Sequence, residues 1–122
     1  MAVYPPTNAI AVDVDGTLCH HGALNAAVVE FVKRQRARGL SVMLWSARGE
    51  SYARSMAERF GVAALFNHIV SKPGYVVDDL GWSWIRHTKV ISNFSGGADV
   101  PTAEDVAAAY SAWFEGSGGH AP

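Results

Sequence analysis

The chain has a single cysteine, Cys19, among 122 residues. No internal disulfide can form, so packing and hydrogen bonds must hold the fold, as suits a reducing cytosol. Long hydrophobic runs are missing too. No stretch approaches the ~20 apolar residues of a membrane span. The opening MAVYPPTNAIAV lacks the basic start and apolar run of a signal peptide. Charge is in excess of neither sign: ten Lys and Arg meet eleven Asp and Glu, a net charge of -1. That excludes a general attraction to nucleic acid or an anionic membrane. These absences lead us to expect a cytoplasmic protein with no membrane contact. Apolar residues are plentiful, at 49 %, enough for one core in a length that suits one domain. We expect residues 1–115 to form it and GSGGHAP, residues 116–122, to be a flexible tail.

Strands and helices alternate along this domain. Ile10–Val14 reads as a strand buried on both faces. Asn25 is placed to cap a helix over 26–38, with Val28, Val29, Val32 and Gln35 near helical spacing. Lys33, Arg34, Arg36 and Arg38 crowd its end, a solvated cluster that complements the helix dipole, and Gly39 stops it. Leu40–Trp45 is the next strand. A helix over 50–60 carries the stripe Ala53, Met56, Ala57 and Phe60 and ends at Gly61. A short apolar piece, Leu65–Val70, leads into SKPG. Tyr75–Val77 reads as the third clear strand, and Val90-Ile91 as a candidate for one more. Pro101-Thr102 opens a last helix with Val106, Ala109, Tyr110 and Trp113 on its inner face, and Trp82 and Trp84 are expected to pack beneath it. Cys19 reads as a small buried residue, and His20 and His21 as exposed loop residues. The alternation predicts an α/β fold, a three-layer Rossmann-like sandwich with a mainly parallel central sheet and helices on both faces.

In such sheets the working groups lie beyond the carboxyl ends of the strands. Asp13 and Asp15 follow the first strand, Ser46 the second, and Asp78 and Asp79 a later one. Four carboxylates at one rim repel each other, and a hard cation such as Mg²⁺, with its oxygen ligands, relieves that repulsion. Such a rim holds the parts of a phosphoryl transfer: one Asp to attack phosphorus, a second to move protons, and a metal to offset charge. The Ser46 hydroxyl and backbone N–H groups near Gly16 are candidate donors to phosphoryl oxygens.

DVDGT after an apolar strand, Ser46 in LWSARG and the acids of VVDD, in that order over residues 9–80, resemble the haloacid dehalogenase-like phosphohydrolases. The resemblance implies an aspartyl-phosphate mechanism with Asp13 as nucleophile and Asp15 as general acid/base. It implies phosphate or substrate contacts from Gly16, Thr17, Ser46, Ala47 and Arg48. It implies Mg²⁺ held by Asp13, the Asp15 main-chain carbonyl and Asp78, with Asp79 in or near that shell. SARG is similar to a Ser-Gly-Arg segment in phosphatase domains acting on polynucleotide ends. Gly16 to Asn25 leaves no room for a cap, so the likeness is to the capless branch. An open site of that kind suits a sizeable phosphorylated substrate, either a small molecule or a nucleic-acid end, and a homo-oligomer could cover it.

The family's lysine is matched in type by Lys72. If 73–78 were extended, however, Lys72 would sit about 20 Å from Asp78, at the far end of a strand. Either 68–74 loops back across the rim or Lys72 is not the catalytic lysine. Two rival readings stand beside the phosphatase. A receiver-like phosphoacceptor domain is opposed by the order of the motifs, because the Lys-Pro here precedes the last acidic pair. The other rival is a domain of the same fold that binds without turnover.

Overall fold

The computed structural model describes residues 8–92, 94, 99–102, 104, 105 and 108. Its main sheet has three strands, β1 (Ala9–Asp13), β4 (Ser41–Ser46) and β5 (His68–Ser71), in the order β1-β4-β5 and all parallel. A small antiparallel pair, β2 (Cys19–His20) and β3 (Ala23–Leu24), follows β1. Helix α1 (Ala26–Ala37) joins β1 to β4, and α2 (Glu50–Arg59) joins β4 to β5.

Local chemistry explains the helix ends. The Asn25 side chain accepts a hydrogen bond from the Ala27 N–H at 3.1 Å, which satisfies one of the unpaired amides of the first turn. At the other end Gly39 takes a φ of +92°, a turn that a side chain would resist.

Register decides what each strand offers to each face. Val12, Leu44 and Ile69 lie side by side and are buried, as are Val28, Phe31 and Val32 of α1 and Ala53 and Ala57 of α2, all in one core. The alternate row, Asp13, Trp45 and Val70, points to the opposite face and is only partly covered. Both crossovers step the same way across the sheet, so right-handed connections bring both helices to one face. The described residues therefore form two layers, where helices on both faces were expected. Residues 1–7, the Val106, Ala109, Tyr110 and Trp113 face of the last helix, and the tail at 116–122 lie outside the described residues.

Two further expectations are corrected. Tyr75–Val77 is not a strand: it pairs with nothing among the described residues, and Tyr75 and Val77 are almost fully exposed. The third strand is instead His68–Ser71, whose Ile69 fills the core beside Leu44. Val90-Ile91 is not a strand either, and Trp82 is 80 % exposed, not packed beneath a helix. Cys19 is buried, and burial raises its thiol pKa above the usual value. No helix among the described residues is long and apolar enough to cross a membrane.

The basic end of α1 is more than a solvated cluster. Arg36 donates to the Ala64 and Leu65 carbonyls at 3.0 and 2.9 Å. Arg34 and Arg38 reach Asp99, and Arg38 also reaches Asp105. At the centre is Gln35, fully buried. Its Nε2 donates to Asp99 at 2.7 Å, and its Oε1 accepts from Arg38 at 2.6 Å and from the Val100 N–H at 3.1 Å. The hydrogen bonds from Gln35 and then Arg34 hold the Asp99 carboxyl below its ordinary value. Replacing Gln35 by Leu strands these partners. Gln35→Leu is expected to cost about 1–3 kcal/mol in urea unfolding. An unchanged midpoint would show that the network carries no stability.

Candidate active site

The C-terminal edge of the sheet gathers groups from sequence-distant turns. Asp13 ends β1, Ser46 ends β4, and Lys72 comes directly after β5. Because 68–71 is the strand that pairs with β4, Lys72 leaves the sheet at the same rim as Asp13. The Lys72 N–H donates to the Ser46 carbonyl at 2.9 Å, which ties its backbone to the end of β4. Its Nζ lies 3.2 Å from Asp13 Oδ1 and 5.8 Å from the centre of the Trp45 ring. Asp13, Trp45 and Lys72 thus share the open face. The objection that an extended 73–78 would carry Lys72 to the far end of a strand falls away because 75–77 forms none. Of the two alternatives, the one that keeps Lys72 at the rim stands.

A second cluster surrounds Asp15. The Tyr52 hydroxyl donates to Asp15 Oδ1 at 2.6 Å, and an Arg48 guanidinium nitrogen lies 3.6 Å from Asp15 Oδ2. Arg48 also lies flat over Tyr52, with its central carbon 3.8 Å from the ring centre, a cation–π contact. The bond to Asp15 raises the Tyr52 phenol above its ordinary pKa. Tyr52 had no part in the sequence reading. The one signal was its spacing of four from Arg48, across a helix start that only the fold defines.

The turn after β4 depends on Gly49. It has φ +106° and ψ 165°, a backbone conformation that L side chains rarely adopt. This turn points Arg48 back toward Asp15 and lets the Glu50 N–H donate to the Ser71 hydroxyl at 2.8 Å. Ser46 is buried, and by alternation its side chain falls on the helical face with Leu44. Its Oγ accepts from the Arg48 N–H at 3.0 Å, so its own hydrogen is what it can donate. Ala47 is exposed in the same turn.

Compared with known proteins, the chain matches no family model, no curated protein and no solved structure. Its chemistry is therefore read from these side chains.

Other expected site groups sit differently. The N–H groups of Gly16 and Thr17 donate to the Cys19 and Val14 carbonyls at 2.8 and 3.2 Å and so close the loop on itself. Asp78 and Asp79 are exposed, and Asp78 Oδ1 accepts from the Leu80 N–H at 2.8 Å, which caps a local turn. Among the described residues no three Asp, Glu, His or Cys side chains come together as a metal-binding group. The expected convergence of four acids is thus not formed. Asp13 and the Asp15 main-chain carbonyl are the oxygens that suit a hard cation. Among the described residues nothing donates to that carbonyl, and Mg²⁺ needs only one or two protein carboxylates when phosphate and water complete its shell. His20 and His21 are exposed, their rings edge to face at 4.0 Å.

Proposed function

We propose that this protein is a Mg²⁺-dependent phosphohydrolase of the haloacid dehalogenase-like kind, acting on a phosphomonoester. The observation that carries the reading is the Lys72–Asp13 pair at 3.2 Å, set at the ends of β1 and β5, the parallel strands on either side of β4, with a second aspartate two residues on. A partly exposed carboxylate braced by an ammonium is a nucleophile with a counter-charge for the phosphoryl oxygens beside it.

In the first step an Asp13 carboxylate oxygen forms a bond to phosphorus while the bond from phosphorus to the leaving oxygen breaks. Asp15 gives its proton to that oxygen, and the alcohol departs. In the second step a water oxygen attacks the aspartyl-phosphate. Asp15 takes the water's proton, the bond from Asp13 to phosphorus breaks, and inorganic phosphate leaves. The sum is one ester and one water in, one alcohol and one phosphate out. Lys72 holds the phosphoryl oxygens against Asp13, and Arg48 adds donors to them. Mg²⁺, held by Asp13 and the Asp15 carbonyl, would offset the negative charge shared by nucleophile and phosphate. Asp78 and Asp79 carry no part of this proposal.

The test is phosphate release from p-nitrophenyl phosphate and from an alkyl phosphate. Release is expected with Mg²⁺, lost on chelation with EDTA and restored by Mg²⁺. No release from either ester with Mg²⁺ present would leave a binding domain as the better reading.

A further inference from the structure

Asp15 is half exposed, and an exposed carboxylate on a loop samples several rotamers. Two groups restrain this one, and they are unequal. Arg48 reaches Oδ2 only at 3.6 Å with its own side chain 64 % exposed, a pairing that water weakens. Tyr52 reaches Oδ1 at 2.6 Å from the first turn of α2, a short bond to a carboxylate of the stronger class. A phosphate group entering the site competes with Asp15 for Arg48, because a guanidinium binds phosphoryl oxygens in the same forked way. Once Arg48 turns to the phosphate, Tyr52 is what still holds Asp15. Its bond occupies Oδ1, which leaves Oδ2 to carry the proton toward the leaving oxygen.

We propose that Tyr52 is a positioning residue with two separable roles: its hydroxyl aims Asp15 at the leaving group, and its ring is the platform that holds Arg48 for the substrate phosphate. This rests on the phosphohydrolase reading above. The two roles use different atoms, so two substitutions separate them. Tyr52→Phe keeps the ring and loses the hydroxyl. Tyr52→Leu loses both.

A proton donor matters most when the leaving group is a poor one, which gives the readout. With Mg²⁺ present, Tyr52→Phe is expected to lower kcat/KM about tenfold on an alkyl phosphate such as glycerol phosphate. On p-nitrophenyl phosphate, whose phenolate leaves without a proton, the fall is expected to stay under about twofold. The thermal midpoint should not change in the Phe variant, and neither should KM on the alkyl phosphate. Tyr52→Leu is expected to raise KM on both esters as well, and Phe at the position should restore it.

Equal losses of Tyr52→Phe on both esters, or no loss on either, would overturn the role of Tyr52 while the wild-type activity stood. A drop in thermal midpoint large enough to explain the loss would also overturn it. Wild-type protein that released no phosphate from either ester would sink the phosphohydrolase reading, and the Tyr52 role with it.

Discussion

Asp13→Asn is expected to lower Mg²⁺-dependent phosphate release by at least about 10³-fold, because it removes the atom that attacks phosphorus. The change is nearly isosteric. Asp13 is 35 % exposed at the end of β1, and its neighbours Val12 and Val14 supply the packing there, so the core is not disturbed. An amide oxygen is a far weaker nucleophile than a carboxylate, and an amide offers Lys72 no negative charge. Steady-state phosphate release measures the loss. Acid quenching during turnover tests its cause: wild-type protein should carry a covalent phosphoryl group, and Asp13→Asn should not. A variant that kept wild-type turnover would remove Asp13 from the role of nucleophile.

Lys72→Met should lower kcat by about 10²–10³-fold, the size of effect seen when a charge-stabilising donor is lost from an active site. The same change should move stability by less than about 1 kcal/mol. Both partners of the pair are more than a third exposed, and ion pairs so well solvated contribute little to folding. Methionine keeps the aliphatic stem near Trp45 and removes only the charge. Activity and stability should therefore separate, which urea midpoints and kinetics on one preparation can show. Arginine should not rescue the loss fully, because its planar fork cannot put a point charge where the ammonium sits. A Lys72→Met protein with near wild-type kcat would mean that the pair with Asp13 is only an ion pair at the surface.

Much of the fold was legible before the structure. The apolar runs at 10–14 and 40–45 marked β1 and β4 to within a residue or two, and Asn25, Gly39 and Gly61 marked helix ends. These signals are local: a side chain caps the amides two residues on, and a glycine turns the chain where it stands. The third strand was not legible in the same way. Tyr75–Val77 has stronger β-formers than His68–Ser71, yet only the latter finds a neighbour strand. Strand propensity is largely a fit to a half-buried pleated surface, and the partner strand provides that surface. The basic end of α1 shows the same limit. Arg34, Arg36 and Arg38 read as solvated charge because their acceptors lie 28 to 67 residues away.

Residue order alone settled that an aspartate pair would follow the first strand, that no disulfide could brace the chain, and that β1, α1, β4 and α2 would alternate. Each depends on identity or on spacing within one turn or one strand. Tertiary structure decided that Lys72 meets Asp13, that Tyr52 and Arg48 close on Asp15, and that Asp78 caps its own turn. Those outcomes depend on which strands pair and in what register. A shift of one residue in β5 would send Ile69 out of the core and reverse the face that Lys72 takes, and the burial of Ile69 beside Leu44 opposes that shift.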